Sequence, residues 1–190
     1  LQKGFSSLEY GLHGLDKPQN ISQFNKNIID ELKLQSSQRL LFVGEAIRQG
    51  KDINEIHNVT KYDKWFINQI KYLIDLEQKL NKAKLDKNII LLAKKNGFSD
   101  KKISTILSIK EIEVREFRDK NKINPVYRLV DTCAGEFKSK TPYLYSTYDW
   151  SFENRKFCES NPTTNDKVII LGGGQAGIYA AREIRQNDTE

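Results

Sequence analysis

The chain has 190 residues, 38% hydrophobic and 29% charged, with a formal net charge of +6. That balance fits one ordinary folded domain with flanking pieces and excludes a disordered tail. No apolar run approaches the roughly 18–20 residues that a membrane-spanning helix needs, and two cysteines, Cys133 and Cys158, make neither a zinc motif nor a disulfide framework.

Leu1 to Leu12 reads as the tail of a helix, with Phe5, Leu8 and Leu12 on one stripe and Gly11 and Gly14 ending it. A turn follows at 16–20. Ser22 is placed to cap a helix carrying Phe24, Ile28, Ile29 and Leu32. Arg39 to Gln49 repeats the pattern with Leu40, Val43 and Ile47, and Gly50 just beyond. Asp52 caps a short turn with Ile53 and Ile56. Thr60 is expected to open the longest helix, with Asp63 three residues on as in a capping box. Its stripe is Phe66, Ile70, Leu73 or Ile74, Leu76 and Leu80, with Trp65 beside it. Asp86 starts a helix with Ile89, Ile90, Leu92 and Ala93 inside, closed by Gly97. Two short helices follow, Ser99 to Leu107 and Lys110 to Asp119, the second offering Ile112, Val114 and Phe117 to a core.

The texture changes at Asn124-Pro125. Val126 to Val130 reads as a strand, and the aromatic, β-branched run Thr141 to Tyr148 as extended chain. Ser151 to Asp166 is polar and linker-like. Lys167 to Leu171 reads as a buried strand, followed by glycines and a helix from about Gly177 to Arg185. The expected fold class is therefore mainly α: a compact helical domain, then extended segments, then the first βα unit of a truncated Rossmann-like domain. The absence of methionine, at position 1 included, favours a fragment.

Three patterns carry possible chemistry. Gly172-Gly173-Gly174-Gln175-Ala176-Gly177 satisfies G-x-G-x-x-G between a strand and a helix, where backbone N–H groups can approach a phosphate. Gly172, Gly174 and Gly177 are the candidate cofactor-binding residues. A strand-to-helix turn without a ligand is the plainer reading, because the unit ends about where its ribose-binding acid would stand. Gly97 to Asp119 resembles a helix-turn-helix in which Glu113, Arg115 and Arg118 would face a major groove. Glu111, Glu113 and Glu116 crowd that helix, and phosphates would repel them. The lysines mix with acidic residues, as in Lys82 to Lys87, so the positive charge reads as a solvated surface. His13 and His57 stand apart, as surface or capping residues. Tyr143, Tyr145 and Tyr148 could stack bases but suit packing better. No metal site, catalytic residue, nucleic-acid partner or membrane partner is expected.

The wording of particular segments points to a family. Pro125-Val126-Tyr127-Arg128, then Val130 to Phe137 (VDTCAGEF) and Thr141 to Tyr148 (TPYLYSTY), resemble the PVYKxVDTCAAEF and YSTY signature of carbamoyl-phosphate synthetase large subunits. Arg128 stands for Lys, and Gly135 for Ala. Thr60 to Ile67 (TKYDKWFI), Gly97 to Asp100 (GFSD) and Glu113 to Arg118 (EVREFR) match family segments in the same order, and Ser7 to Leu15 (SLEYGLHGL) resembles the end of the first ATP-grasp half. The likeness runs from Leu1 to Gly174. Beyond it the family continues GGGPxRIGQG. Here Gln175 to Glu183 reads instead like an FAD or NAD fingerprint, so no nucleotide-site residue carries over there.

The resemblance implies a central helical oligomerisation domain of a glutamine-dependent enzyme, divided as 1–15 (tail of the preceding ATP-grasp half), 16–124 (helical domain), 125–166 (connector and linker) and 167–190 (truncated α/β start). In the family a glutaminase small subunit releases ammonia. Two ATP-grasp halves use ATP and Mg to make carboxyphosphate, then carbamate, then carbamoyl phosphate for arginine and pyrimidine synthesis. The helical domain sits between those halves and contributes to subunit association. This implies a structural role, no cofactor held by the piece itself, partners in both ATP-grasp halves and the small subunit, a homo-oligomer, and a cytoplasmic setting with reduced thiols. Two other readings stay open: a helix-turn-helix DNA-binding protein and a truncated FAD- or NAD-dependent oxidoreductase.

Overall fold

The computed structural model describes residues 1–19, 27–137, 143–148 and 159. Among these, eight helices precede a two-stranded antiparallel sheet, so the chain is mainly α. The helices are α1 (Gln2–Ser6), α2 (Ile28–Lys33), α3 (Arg39–Arg48), α4 (Ile53–Thr60), α5 (Lys64–Lys82), α6 (Lys87–Lys95), α7 (Asp100–Leu107) and α8 (Glu111–Lys120). The strands are β1 (Val126–Leu129) and β2 (Leu144–Thr147), in register Val126 with Thr147 and Leu129 with Leu144.

Local chemistry sets most boundaries. Asn27, Asp52, Asp63 and Asp86 each accept a hydrogen bond from a backbone N–H of the first turn that follows, and the Ser99 hydroxyl accepts one from Lys102. Lys110 donates its backbone N–H to Glu113, the return half of a capping box. Gly50 and Gly97 adopt positive φ just past the ends of α3 and α6, where glycine carries no Cβ penalty.

The apolar residues form two clusters. One holds Phe5, Leu12, Leu15, Leu32, Phe42, Val43, Ile56, Ile67, Ile70 and Ile74. The other holds Leu76, Leu80, Ile90, Phe98, Ile103, Val114 and Ile123. The helix α5 serves both. At about 100° per residue, Ile67, Ile70 and Ile74 fall on one side of it, and Leu76 and Leu80 on the roughly opposite side. Its N-terminal half packs on α3 and α4, and its C-terminal half on α6 and α7.

Several expectations are corrected. The first helix stops at Ser6, with Glu9 at positive φ, which leaves Leu8 exposed. Thr60 closes α4 rather than opening α5: its hydroxyl donates to the Ile56 carbonyl, and Lys61 turns left-handed. Asp63 is itself the cap of α5. Phe66 is 61% exposed and Ile67 fully buried, so the stripe is shifted by one residue at its start. Leu92 and Ile112 also face outward. Ser22, Phe24, the linker (apart from Glu159), and the strand, glycine turn and helix expected over 167–185 lie outside the described residues. The described start of α2 is capped by Asn27.

Candidate functional site

The seam between the two clusters is polar. Arg48, near the end of α3, donates to both carboxylate oxygens of Glu77 in α5, at 3.1 and 2.9 Å, and to the Leu15 carbonyl at 2.6 Å. Glu77 lies 3.5 Å from the Lys102 ammonium of α7. Lys102 in turn meets Asp16 at 2.6 Å, and the other Asp16 oxygen accepts the His13 N–H at 2.6 Å. Glu45 Oε2 and Arg48 Nη1 are both buried, face each other at 3.7 Å, and make no hydrogen bond. Groups taken from water this way are stabilised only by their partners, so the seam fixes how the clusters sit.

The N-terminal segment is fitted into this seam. Gln2 is 5% exposed, and its side-chain oxygen accepts the Leu15 N–H at 2.6 Å. A Cβ on Gly14 would collide with that oxygen, and one on Gly97 would stand 3.2 Å from Gln2 Cβ. Leu15, 1% exposed, rests on Gly44 of α3, where a Cβ would stand 3.3 Å away.

A second ionic hub ties α6, α7 and α8 together. Asp100 meets Lys94 at 2.9 Å and Arg118 at 2.6 Å. Burial alone would raise the Asp100 carboxyl, but Lys94 and Arg118 outweigh it and hold it below its ordinary value. Burial pulls the Lys94 ammonium down, with Asp100 opposing. Tyr148, just after β2, docks here: its ring lies 5.3 Å from the Lys94 ammonium, and Arg118 donates to its hydroxyl at 3.4 Å. Burial raises its phenol above the usual value, partly offset by Arg118.

The third feature is exposed. Trp65 and Phe66, 60% and 61% exposed, meet edge to face at 4.9 Å. Tyr72 lies on the same side of α5 as Trp65 and Leu76. Phe66 is in line with Leu73 and Leu80. The face that α6 and α7 cover further down α5 is therefore open, among the described residues, at its N-terminal half.

The sequence candidates fare unevenly. Gly172, Gly174 and Gly177 lie outside the described residues. Arg118 is tied to Asp100, with its side chain 12% exposed, and so is not presented to a groove. Glu113 is spent on its own helix cap. His57 contacts the Tyr62 carbonyl at 2.7 Å, a capping role. Tyr143 and Tyr145 are exposed, while Tyr148 packs. Among the described residues, no group of three or more His, Cys, Asp or Glu side chains is placed to hold a metal, and no helix is long and apolar enough to cross a membrane. Sequence reasoning missed the seam. Asp16 read as a turn residue and Lys102 as part of a helix-turn-helix, and only charged residues on inward faces, such as Arg48 and Glu77, hinted at it.

Comparison with known proteins assigns this helical region to a family. Residues 1–122 match the family described as carbamoyl-phosphate synthetase large chain, oligomerisation domain. The carbamoyl phosphate synthase large chain of Vibrio cholerae serotype O1 is 40% identical over 179 residues, covering 92% of this chain. The chain spans 16% of that relative's length. With its helical clusters in place over the matched region, the chain belongs to the carbamoyl-phosphate synthetase large chain family, of whose oligomerisation domain it is a homologue.

Proposed function

We propose that this chain is a structural, non-catalytic piece of a glutamine-dependent carbamoyl-phosphate synthetase, joining larger bodies through apolar helix faces. The observation that supports this most is the open aromatic edge of α5. Trp65, Phe66 and Tyr72 leave apolar surface in water on a helix otherwise solvated by Lys, Asp and Gln. Aromatic residues of this kind anchor protein interfaces.

In this reading the partners are the two ATP-grasp halves of the same large chain, the glutaminase small subunit of the assembled enzyme, and further copies of the chain. ATP and Mg belong to the ATP-grasp halves, and the product serves arginine and pyrimidine synthesis in the cytoplasm. The division at 1–15, 16–124, 125–166 and 167–190 belongs to the same proposal, with the first piece packed into the helical core.

Sedimentation velocity over a range of concentrations, with and without separately produced ATP-grasp halves, tests it. The chain is expected to self-associate or to bind a half, and Trp65→Asp with Phe66→Asp to abolish that association. A strict monomer that ignores both halves overturns the proposal.

A further inference from the structure

We infer that the segment from Gln2 to Asp16 is a brace that locks the two helical clusters into one body, and that detaching it frees the α6–α8 half to move about α5. This concerns motion inside the domain and stands apart from the docking role proposed above.

The main helix packing runs within each half: α2, α3 and α4 with one another and with the start of α5, then α5 with α6 and α7, and α7 with α8. Among the described residues, the brace touches both halves. Its two ends of contact differ in kind. Leu15 is an apolar knob set on Gly44 of α3. Asp16, the next residue, is a charged clamp on Lys102 of α7. Gln2 adds a foothold at Gly97, between α6 and α7, and Ser99 donates to the His13 carbonyl at 3.5 Å.

The seam beneath the brace includes a loose pair: Glu45 Oε2 and Arg48 Nη1 face each other at 3.7 Å as an ion pair without a hydrogen bond. A long buried ion pair offsets its desolvation less well than a close one and so holds the clusters less firmly. The brace itself offers little regular structure, one five-residue helix and loop, with Leu8 and Tyr10 in solvent. Such segments open locally ahead of the global transition. The asymmetry fixes the order of events. Once the charged clamp is lost, Leu15 still holds the brace to α3, while α7 and α8 keep their packing on α5 and the weaker Gln2 and His13 contacts, so opening is favoured on their side.

Hydrogen–deuterium exchange on the full 190-residue chain tests this. Asp16→Asn keeps the shape and removes the charge. Lys102→Met removes it from the other side and keeps the stem. Each is expected to speed exchange of α7 and α8 amides about tenfold while α3 and α4 amides keep their rates. Unchanged α7 and α8 rates overturn the inference. So does equal acceleration in both clusters, including outright failure to fold, because the halves are then not separable.

Discussion

Asp16 holds the Lys102 ammonium at 2.6 Å across 86 positions of sequence. Lys102 is 9% exposed and Asp16 24% exposed at their side chains, so water reaches one partner more than the other. Lys102→Ala leaves that carboxylate partly rehydrated but removes the packed stem and the contact to Glu77. The expected loss is about 2 kcal/mol, below the 3–5 typical of a fully buried broken pair. Urea denaturation checks this, and a loss under about 0.5 kcal/mol would show the pair to be ornamental.

Ile67 and Phe66 are neighbours with opposite fates. Ile67 is fully buried in the first cluster, and Phe66 is 61% exposed. Ile67→Ala is expected to cost about 2–4 kcal/mol, through lost burial and the cavity left behind. Phe66→Ala is expected to stay within about 0.5 kcal/mol in the isolated chain. Denaturant midpoints of the two variants decide it. Equal losses would mean that Phe66 belongs to the core after all.

That pair also shows where sequence reading stops. Caps are local, so Asp52 and Asp86 were legible at the starts of their helices, as were Gly50 and Gly97 at the ends of theirs. The phase of a stripe is not local when apolar residues stand side by side. Trp65, Phe66 and Ile67 each fit the start of α5, and only packing against α3 and α4 selects Ile67. The face of α5 then switches, because α6 and α7 lie on its other side, and no single stripe describes it. The long-range charge pairs were least legible. Asp16 with Lys102 and Arg48 with Glu77 join segments whose spacing follows from the whole fold. Family wording exceeded periodicity here: the VDTCAGEF and YSTY segments named the family, while β1 and β2 alone suggest only a hairpin.

Gly97 combines two constraints. Its φ is +81°, and a Cβ would stand 3.2 Å from Gln2 Cβ. Gly97→Ala is expected to destabilise by about 1–2 kcal/mol, from left-handed strain together with displacement of the brace. Gly50→Ala is the control: its φ is +79°, and a Cβ there meets nothing within 4 Å. Its cost is expected to be the strain alone, about 1 kcal/mol. Thermal unfolding of both variants separates the terms, and equal shifts would mean that Gln2 yields freely.

The Asp100 hub predicts the acid limb of the stability curve. Burial would raise the carboxyl, but Lys94 and Arg118 overcome it, so the folded value lies below the ordinary 3.8. A carboxyl depressed on folding stabilises the fold above its unfolded value, and that contribution is lost as pH falls through 3.8 toward the folded value. The stability gap between the native chain and Asp100→Asn should therefore shrink as pH is lowered from about 6 to about 2. The alkaline limb is mixed. Lys94 is drawn below 10.5, chiefly by burial, so its cost at neutral pH is relieved as pH rises toward 10.5. Tyr148 is raised above 10.0, again by burial, so its contribution holds below pH 10 and is lost above it. These two oppose each other, and Asp100→Asn, by removing the carboxylate that holds both groups up, should move that limb to lower pH. Urea midpoints measured across the range test both limbs. A gap that stays constant down to pH 2 would mean that Asp100 is not held ionised by Lys94 and Arg118.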